Sequence, residues 1–171
     1  MKRLSLYKSS FSITDFKICL VFDDKGRLWH LNFKPEPAPH FQKRLQKIGP
    51  SLEIRKVPPG DIIQFKDQLE AYLQGQGQDL DLPFFLISTE FARKVLYALR
   101  QIPYGQVRTY QWLAQKIGHP KAFRAVGQAL ATNPLPLIFP CHRIVAKHGL
   151  GGFSGGLALK RRLLRIEGLS F

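Results

Sequence analysis

A cysteine stands directly before a histidine in the stretch IFPCHRIV, residues 138–145. A thiol with an ordinary pKa of about 8.5 is mostly protonated at neutral pH, so a nucleophilic cysteine needs a base or a positive field. His142 could be that base, and Arg143 adds positive charge. The alternative is that Cys141 is an inert core thiol, because free cysteine is among the most buried residue types.

The backbone must turn at this point if the two side chains are to act together. On a regular strand Cys141 and His142 would point to opposite faces. Pro140 fixes its own φ angle and lacks an N–H donor, which favours a break in the strand. We therefore predict a turn at Pro140 and Cys141.

A histidine that acts as a base also needs an acceptor that orients its ring. Residues 86–171 contain two acidic residues, Glu90 and Glu167. Glu90 falls in a segment that would begin a helix. Glu167, in the stretch RIEG, is therefore the better candidate.

The positive charge is concentrated in the second half of the chain. Residues 1–85 contain 13 Lys or Arg and 10 Asp or Glu, a net charge of +3, whereas residues 86–171 contain 13 and 2, a net charge of +11. Such a distribution favours a polyanionic partner such as nucleic acid. The alternative is that the second half has a basic surface that serves only solubility.

Composition indicates an ordinary folded protein. The chain has 171 residues, of which 44% are hydrophobic, enough to bury a core. Two cysteines without a C-x-x-C pair indicate neither a disulfide framework nor a structural zinc site. No apolar run approaches the roughly 18 residues of a membrane span, and the first residues do not resemble a signal peptide. We expect a cytoplasmic protein with no membrane partner.

The first half reads as a small α/β unit. Residues 16–22 and 28–33 are short apolar runs that predict a hairpin with Gly26 in its turn. The prolines of residues 34–40 argue against helix or central strand. A helix is predicted from Asp61, as its N-cap, to Gly75, and the polar, glycine-bearing residues 74–83 are the expected domain boundary.

The second half reads as helical. Three helices are predicted in succession, over residues 88–102, 110–118 and 122–133. Ser88 or Thr89 would cap the first helix, and the second and third have the spacing of a helix-turn-helix. Residues 133–139 look strand-like. A last helix, residues 157–168, should turn Leu159, Leu163, Leu164 and Ile166 inward and Lys160, Arg161, Arg162 and Arg165 outward.

The stretch PCHRIV, preceded by NPLPLI and followed by FSGG and IEG, closely resembles the active-site region of the O6-alkylguanine-DNA alkyltransferases. Residues 90–130 resemble the DNA-binding helices of that family, and QLEAYLQG with the N-terminal hairpin more weakly resembles its first domain. The resemblance implies an α+β fold in two domains. Residues 1–83 would form a structural α/β domain with a ribonuclease H-like antiparallel sheet plus helix. Residues 84–171 would form a helical, winged helix-turn-helix DNA-binding domain that carries the active site.

The resemblance also implies a reaction, the direct reversal of DNA damage. Cys141 would accept the alkyl group from O6 of guanine in a single irreversible turnover. His142 would take the thiol proton through a bridging water, and Glu167 would orient His142. Tyr110 would direct its phenol at guanine N3. No cofactor is expected, since the damaged DNA is itself the alkyl donor; O4-alkylthymine stays open as a second substrate.

Substrate-binding roles follow by the same resemblance. The backbone N–H of Ser154 would donate to O6, and the carbonyls of Cys141 and Ile144 would accept from the exocyclic amine of guanine. Phe153, where a tyrosine is often found, would form a wall of the alkyl pocket. Asn133 would be a hinge whose side-chain amide ties the recognition helix to the active-site turn.

The expected partner is double-stranded DNA with O6-alkylguanine, bound through the minor groove by a monomer. Because O6 lies inside the duplex, the nucleotide must be rotated out, and Arg124 would enter the vacated stack. Ala125 and Gly127 would let the helix approach DNA closely, although small residues also permit close helix packing. Phe123 could wedge against the DNA or pack inward.

Rival functions are disfavoured by particular residues. The glycine-rich residues 148–156 fail the G-x-G-x-x-G pattern of a dinucleotide-binding loop, because serine stands where the third glycine belongs. A non-catalytic lesion binder would not need Cys141, and a cysteine hydrolase would not need the basic helix-turn-helix. No metal is expected: Cys19, His30 and His40 lack ligand-like spacing.

Overall fold

The N-terminal half contains a four-stranded sheet in the order β3-β2-β1-β4. In the computed structural model, residues 4–57, 62–77 and 79–171 are described. The strands are β1 (Leu6–Ile13), β2 (Phe16–Asp23), β3 (Leu28–Asn32) and β4 (Ile54–Lys56). The first three pair antiparallel, but β4 pairs parallel to β1. The sheet is therefore mixed, which corrects the expected antiparallel sheet.

The hairpin of β2 and β3 is confirmed, and Asp23 holds its turn together. The Asp23 carboxylate accepts from the N–H groups of Lys25 and Arg27 and, on its other oxygen, from Trp29 Nε1 at 2.9 Å. Gly26 adopts a φ of 73°, in the left-handed region that glycine populates without steric cost. Strand β1 was missed because its serines obscure the alternation of apolar residues.

Two helices accompany the sheet, α1 (Pro39–Ile48) and α2 (Ile63–Leu73). The expectation that the prolines of residues 34–40 exclude a helix is wrong at its end, because α1 begins at Pro39. Proline is tolerated in the first turn, where its missing N–H would have no helical partner. Helix α2 ends before Gly75, at a φ of 75°, as predicted. The predicted N-cap, Asp61, lies outside the described residues.

The predicted helices of the second half are confirmed as α3 (Glu90–Leu99), α4 (Tyr110–Lys116), α5 (Phe123–Ala131) and α6 (Leu157–Ile166). Thr89 caps α3, since its Oγ1 accepts from the Ala92 N–H at 3.2 Å. Thr109 caps α4 in the same way through the Trp112 N–H at 3.1 Å. These caps fix where α3 and α4 begin.

Residues 133–139 are a succession of turns, so the strand-like interpretation is wrong. Asn133 Oδ1 accepts from the Leu135 N–H at 3.0 Å, and its Nδ2 donates to the Phe139 carbonyl at 2.8 Å. Leu137 adopts a φ of 74°. A short 3-10 turn, Cys141–Arg143, follows, and then β6 (Ile144–Val145), which pairs parallel with β5 (Arg108–Thr109).

One hydrophobic core runs through both halves. Phe65, Leu69 and Tyr72 of α2 belong to the same buried cluster as Val95 of α3 and Leu163 of α6. No described helix is long and apolar enough to cross a membrane. The domain boundary between residues 83 and 84 stays a prediction.

The role of Thr89 as the N-cap of α3 can be tested by comparing its substitution with that of the neighbouring Ser88. Thr89→Ala leaves an N–H of the first turn of α3 without its partner, and we expect the free energy of unfolding to fall by about 1 kcal/mol. The matched control is Ser88→Ala, because Ser88 Oγ is buried with no hydrogen-bond partner among the described residues. Urea denaturation should show the control within about 0.5 kcal/mol of the parent protein. Equal losses in both variants would contradict the assignment of the cap.

Candidate active site

The 3-10 turn Cys141–Arg143 carries the thiol and the imidazole on consecutive residues, and the predicted turn at Pro140 is confirmed. The Arg143 N–H donates to the Pro140 carbonyl at 3.0 Å, which closes the turn. The relative exposure is 6% for Cys141 and 0% for His142. Pairing of β6 with β5 brings the first residue of α4, Tyr110, to the same region.

Glu167, at the end of α6, lies against His142. Its Oε1 is 2.6 Å from His142 Nε2, and its Oε2 accepts from the Gly105 N–H at 3.0 Å. Glu90, the other candidate, is instead exposed in the first turn of α3, where it pairs with Lys94. The structure thus gives the histidine the acceptor that its use as a base requires.

Arg143 is directed at Glu167. Its Nε is 3.0 Å from both Glu167 oxygens, and its Nη1 donates to the Ile102 carbonyl at 2.7 Å. Its Nη2 also bonds Asp79 at 2.5 Å. Arg143 therefore supplies the counter-ion of the buried carboxylate.

Lys160 corrects the prediction for α6, because its side chain points inward and has 0% exposure. Its ammonium donates to the carbonyls of Ile144, Leu150 and Gly152 at 2.6, 2.5 and 3.0 Å. Burial lowers its pKa to about 8, with the Cys141 thiolate acting in the opposite direction. Its spacing from Leu163, Leu164 and Glu167 places it on the buried face of the helix, and that spacing could have revealed it.

The protonation states follow from burial and partners. Burial raises the pKa of the Cys141 thiol and lowers the pKa of His142, which Glu167 partly offsets. Burial would also raise the pKa of Glu167, but hydrogen bonds from His142, Arg143 and Tyr72 lower it to about 2. At neutral pH the resting site therefore holds a thiol, a neutral imidazole and a carboxylate.

Tyr72 is a site residue that the sequence did not reveal. Its hydroxyl donates to Glu167 Oε1 at 2.6 Å and lies 3.1 Å from His142 Nε2. Helical spacing correctly assigned its ring to the core of α2, and nothing in the sequence indicates where its hydroxyl points.

Cys141 opens on a cavity of about 560 Å³, and three other predicted site residues line it: Asn133, Phe153 and Ser154. The segment between β3 and α1 forms another part of the lining. Tyr110 lies nearby, with its hydroxyl donating to the Gly152 carbonyl at 3.2 Å. The Ile144 carbonyl accepts from Lys160, which holds it in place. The residues predicted to bind the base and the alkyl group are thus gathered around one cavity and its margin.

The exposed face of α5 carries the residues predicted to contact DNA. Phe123 is 48% exposed, so it does not pack inward, and Arg124 and Ala125 are exposed beside it. A Cβ atom on Gly127 would meet nothing within 4 Å. Packing within the protein therefore does not require a glycine there, which favours the alternative of close approach by a partner.

Of the residues considered as zinc ligands, Cys19 lies in the core and both ring nitrogens of His30 have backbone partners. Cys19 is buried in β2, while His30 Nδ1 is 2.7 Å from the Pro134 carbonyl and its Nε2 accepts from the Ala38 N–H at 3.0 Å. Among the described residues, no three His, Cys, Asp or Glu side chains are grouped as metal ligands. The expectation of no zinc stays a prediction.

Comparison with known proteins fits this geometry. Residues 90–169 match the family model described as 6-O-methylguanine DNA methyltransferase, DNA binding domain. A methylated-DNA--protein-cysteine methyltransferase of Methanosarcina barkeri is 46% identical over 151 residues, which are 88% of this chain and 89% of that protein. The chain belongs to this methyltransferase family.

Two solved structures agree with that assignment. The crystal structure of Mycobacterium tuberculosis O6-methylguanine methyltransferase has a TM-score of 0.79 and 32% identity, covering 95% of this chain and 92% of that one. The M. tuberculosis protein in complex with DNA has the same TM-score of 0.79, with 31% identity, and covers 94% of this chain and 92% of that chain. The enzyme class is thus methylated-DNA--protein-cysteine methyltransferase, a DNA-binding class that acts in DNA repair.

The buried carboxylate makes stability depend on pH. Because the pKa of Glu167, about 2, lies below the ordinary value of 4.5, its ionised form stabilises the fold above about pH 4.5, and this contribution is lost as the pH falls toward 2. Glu167→Gln should lower the free energy of unfolding by roughly 3 kcal/mol at pH 7 and by much less near pH 3.

Urea denaturation at both pH values measures the difference. Glu70→Gln is the control, since Glu70 makes only a partly exposed pair with Lys66 and should change stability by less than about 0.5 kcal/mol. A Glu167→Gln deficit of the same size at pH 3 and pH 7 would contradict the low pKa.

Proposed function

We propose that this protein repairs alkylated DNA by moving the alkyl group from O6 of guanine to Cys141 Sγ, once per molecule. The carbon–oxygen bond to guanine breaks as the carbon–sulfur bond forms, and the thiol proton passes to His142. The observation that carries this proposal is a thiol at the edge of a cavity, next to a buried imidazole–carboxylate pair. A thioether has no good leaving group, so the alkylated protein would be the final state.

The guanine anion leaves more readily where hydrogen-bond donors meet the developing charge. The proposed donors are the Tyr110 hydroxyl for N3 and the Ser154 N–H for O6. In support, Ser154 lines the Cys141 cavity, and Tyr110 lies close enough that the Cys141 thiolate contributes to a raised Tyr110 pKa, after burial as the larger cause. The carbonyls of Cys141 and Ile144 would select guanine through its exocyclic amine.

DNA binding is assigned to the exposed face of α5. The small residues of this face would approach the minor groove, with Arg124 in the vacated stack and Phe123 as an apolar wedge beside it. Helices α4 and α5 would form the helix-turn-helix, with residues 1–83 as a supporting domain. We further propose that the protein acts as a monomer in the cytoplasm and needs no cofactor.

The proposed transfer of the alkyl group to the Cys141 thiol has a direct test. Incubation with duplex DNA that contains O6-methylguanine should add one methyl group, in place of one hydrogen, to the Cys141 peptide, with a stoichiometry that stops at one per protein. Mass spectrometry of the digested protein measures it, and a parallel duplex with O4-methylthymine measures the second substrate. Cys141→Ser should bind the same DNA and gain nothing. If the parent protein binds the DNA without a gain in mass, it is a non-catalytic lesion binder and the proposed alkyl transfer is wrong.

The role of Arg124 is tested by comparing duplex with single-stranded substrate. A lesion in a single strand does not have to be rotated out of a base stack, so Arg124→Ala should slow transfer from the duplex by roughly tenfold or more and transfer from the single strand much less. Arg161→Ala removes the same charge from an exposed position on α6 and is the control. Equal slowing on both substrates would show that Arg124 contributes only general attraction to phosphate.

A further inference from the structure

Tyr72 belongs to α2, in the N-terminal half, yet its hydroxyl is buried among the reactive residues of the second half. The side chain is 1% exposed. Its ring packs edge-on against Tyr104, with centroids 5.9 Å apart, and against His142 at 6.5 Å. This packing fixes the ring, and therefore the direction of the hydroxyl.

The hydrogen bonds around Glu167 Oε1 determine which nitrogen of His142 carries a hydrogen. Tyr72 has a single hydroxyl proton, which it donates to the carboxylate, so it can only accept from the imidazole. Glu167 can also only accept when ionised. His142 Nε2 faces both groups and must therefore be the protonated nitrogen, which leaves Nδ1 as the basic one.

His142 Nδ1 is buried and has no hydrogen-bond partner among residues 4–57, 62–77 and 79–171. A basic nitrogen without a partner is available to take a proton. The proposed reaction requires such an acceptor for the Cys141 thiol, directly or through water.

We propose that Tyr72 is a positioning residue for alkyl transfer, which holds His142 as a neutral base by sharing Glu167 Oε1 with His142 Nε2. The inference rests on the proposed function. It gives the N-terminal half a part in the chemistry in addition to support.

The direction in which loss of the Tyr72 hydroxyl changes the pKa of His142 follows from the groups that face His142. From α6, Glu167 favours the imidazolium and Lys160 opposes it; from the turn, Arg143 opposes it. A Cys141 thiolate, once formed, would favour the imidazolium because the two charges are opposite. Beyond these, Tyr104 and Asp79 lie near Arg143 and Glu167, and Asp79 is paired with Arg143. By donating its proton to Oε1, Tyr72 weakens the attraction of this oxygen for the His142 Nε2–H, and its own neutral oxygen, 3.1 Å from Nε2, is a weaker acceptor than the carboxylate at 2.6 Å. Loss of the hydroxyl should therefore raise the pKa of His142.

Tyr72→Phe keeps the ring and removes only the hydroxyl. The experiment measures the single-turnover rate of methyl transfer at saturating O6-methylguanine duplex, between about pH 5.5 and 8.5, where a neutral histidine base limits the acid side of the profile. We expect the acid limb to move up by about one pH unit, so that the variant is slower by a factor that approaches about ten at the acid end of this range and is close to the parent rate near pH 8.

Tyr104→Phe is the matched control. Tyr104 packs against Tyr72 and is partly buried, but its hydroxyl donates to the Ile166 carbonyl at 2.7 Å and not to Glu167. The pH profile of the single-turnover rate of Tyr104→Phe should have the same acid limb as that of the parent protein. A purely structural loss in Tyr72→Phe would slow transfer by the same factor at every pH, and that result would overturn the role.

A second measurement tests for a shift of the acid limb in the opposite direction, to lower pH. It does not depend on how well the Tyr72→Phe variant folds. Replacement of Tyr72 by 3-fluorotyrosine makes the hydroxyl a stronger donor, so the acid limb should move to lower pH. A shift to higher pH, or none, would count against the proposal. If the parent protein itself gains no methyl group, the proposed function has failed; if it does and only these shifts are missing, the function stands without Tyr72.

Discussion

A buried carboxylate organises this structure. Glu167 is 5% exposed and is held by His142, Arg143, Tyr72 and the Gly105 N–H. An ionised carboxylate in the interior is tolerated only when its lone pairs are satisfied and a counter-ion is near. To meet that condition α2, α6, the loop before β5 and the active-site turn must converge on one point. The position of His142 is thus a consequence of how one negative charge is accommodated.

The second constraint is the irregular backbone that surrounds Cys141. Turns in residues 133–139 and the loop after β6 leave carbonyl and N–H groups without strand or helix partners, and buried groups of this kind must find others. The Asn133 side chain supplies partners for backbone groups of the turns, and Lys160 supplies them for carbonyls of β6 and the loop after it. His30 and Arg44 hold the same region from the N-terminal half, through the carbonyls of Pro134 and Thr132. The cavity keeps its shape because these side chains replace regular secondary structure.

The sequence predicted what depends on local pattern. Helical spacing located α3 to α6, glycine and aspartate located the β2–β3 turn, and the adjacency of Cys141 and His142 required a turn that the structure contains. Lys160 was misplaced because a lysine was assumed to face solvent, although its spacing put it on the buried face. Residues 133–139 were misread because apolar residues under a network of side-chain hydrogen bonds have the same composition as a strand. The hydroxyl of Tyr72 could not be predicted, since its partner lies on an element 95 residues away.

The burial that positions His142 also keeps the Cys141 thiol protonated. Desolvation raises the pKa of Cys141, and a protonated thiol is a poor nucleophile and a poor target for oxidation. For an enzyme that turns over many times, storing the nucleophile in this form would only slow the reaction. For a protein that reacts once, as proposed here, loss of the thiol before a lesion arrives would remove the molecule from use. In the proposed reaction a neutral His142 and a neutral thiol would satisfy both needs, because the proton would be transferred, directly or through water, only when the reacting carbon of a substrate lies next to sulfur.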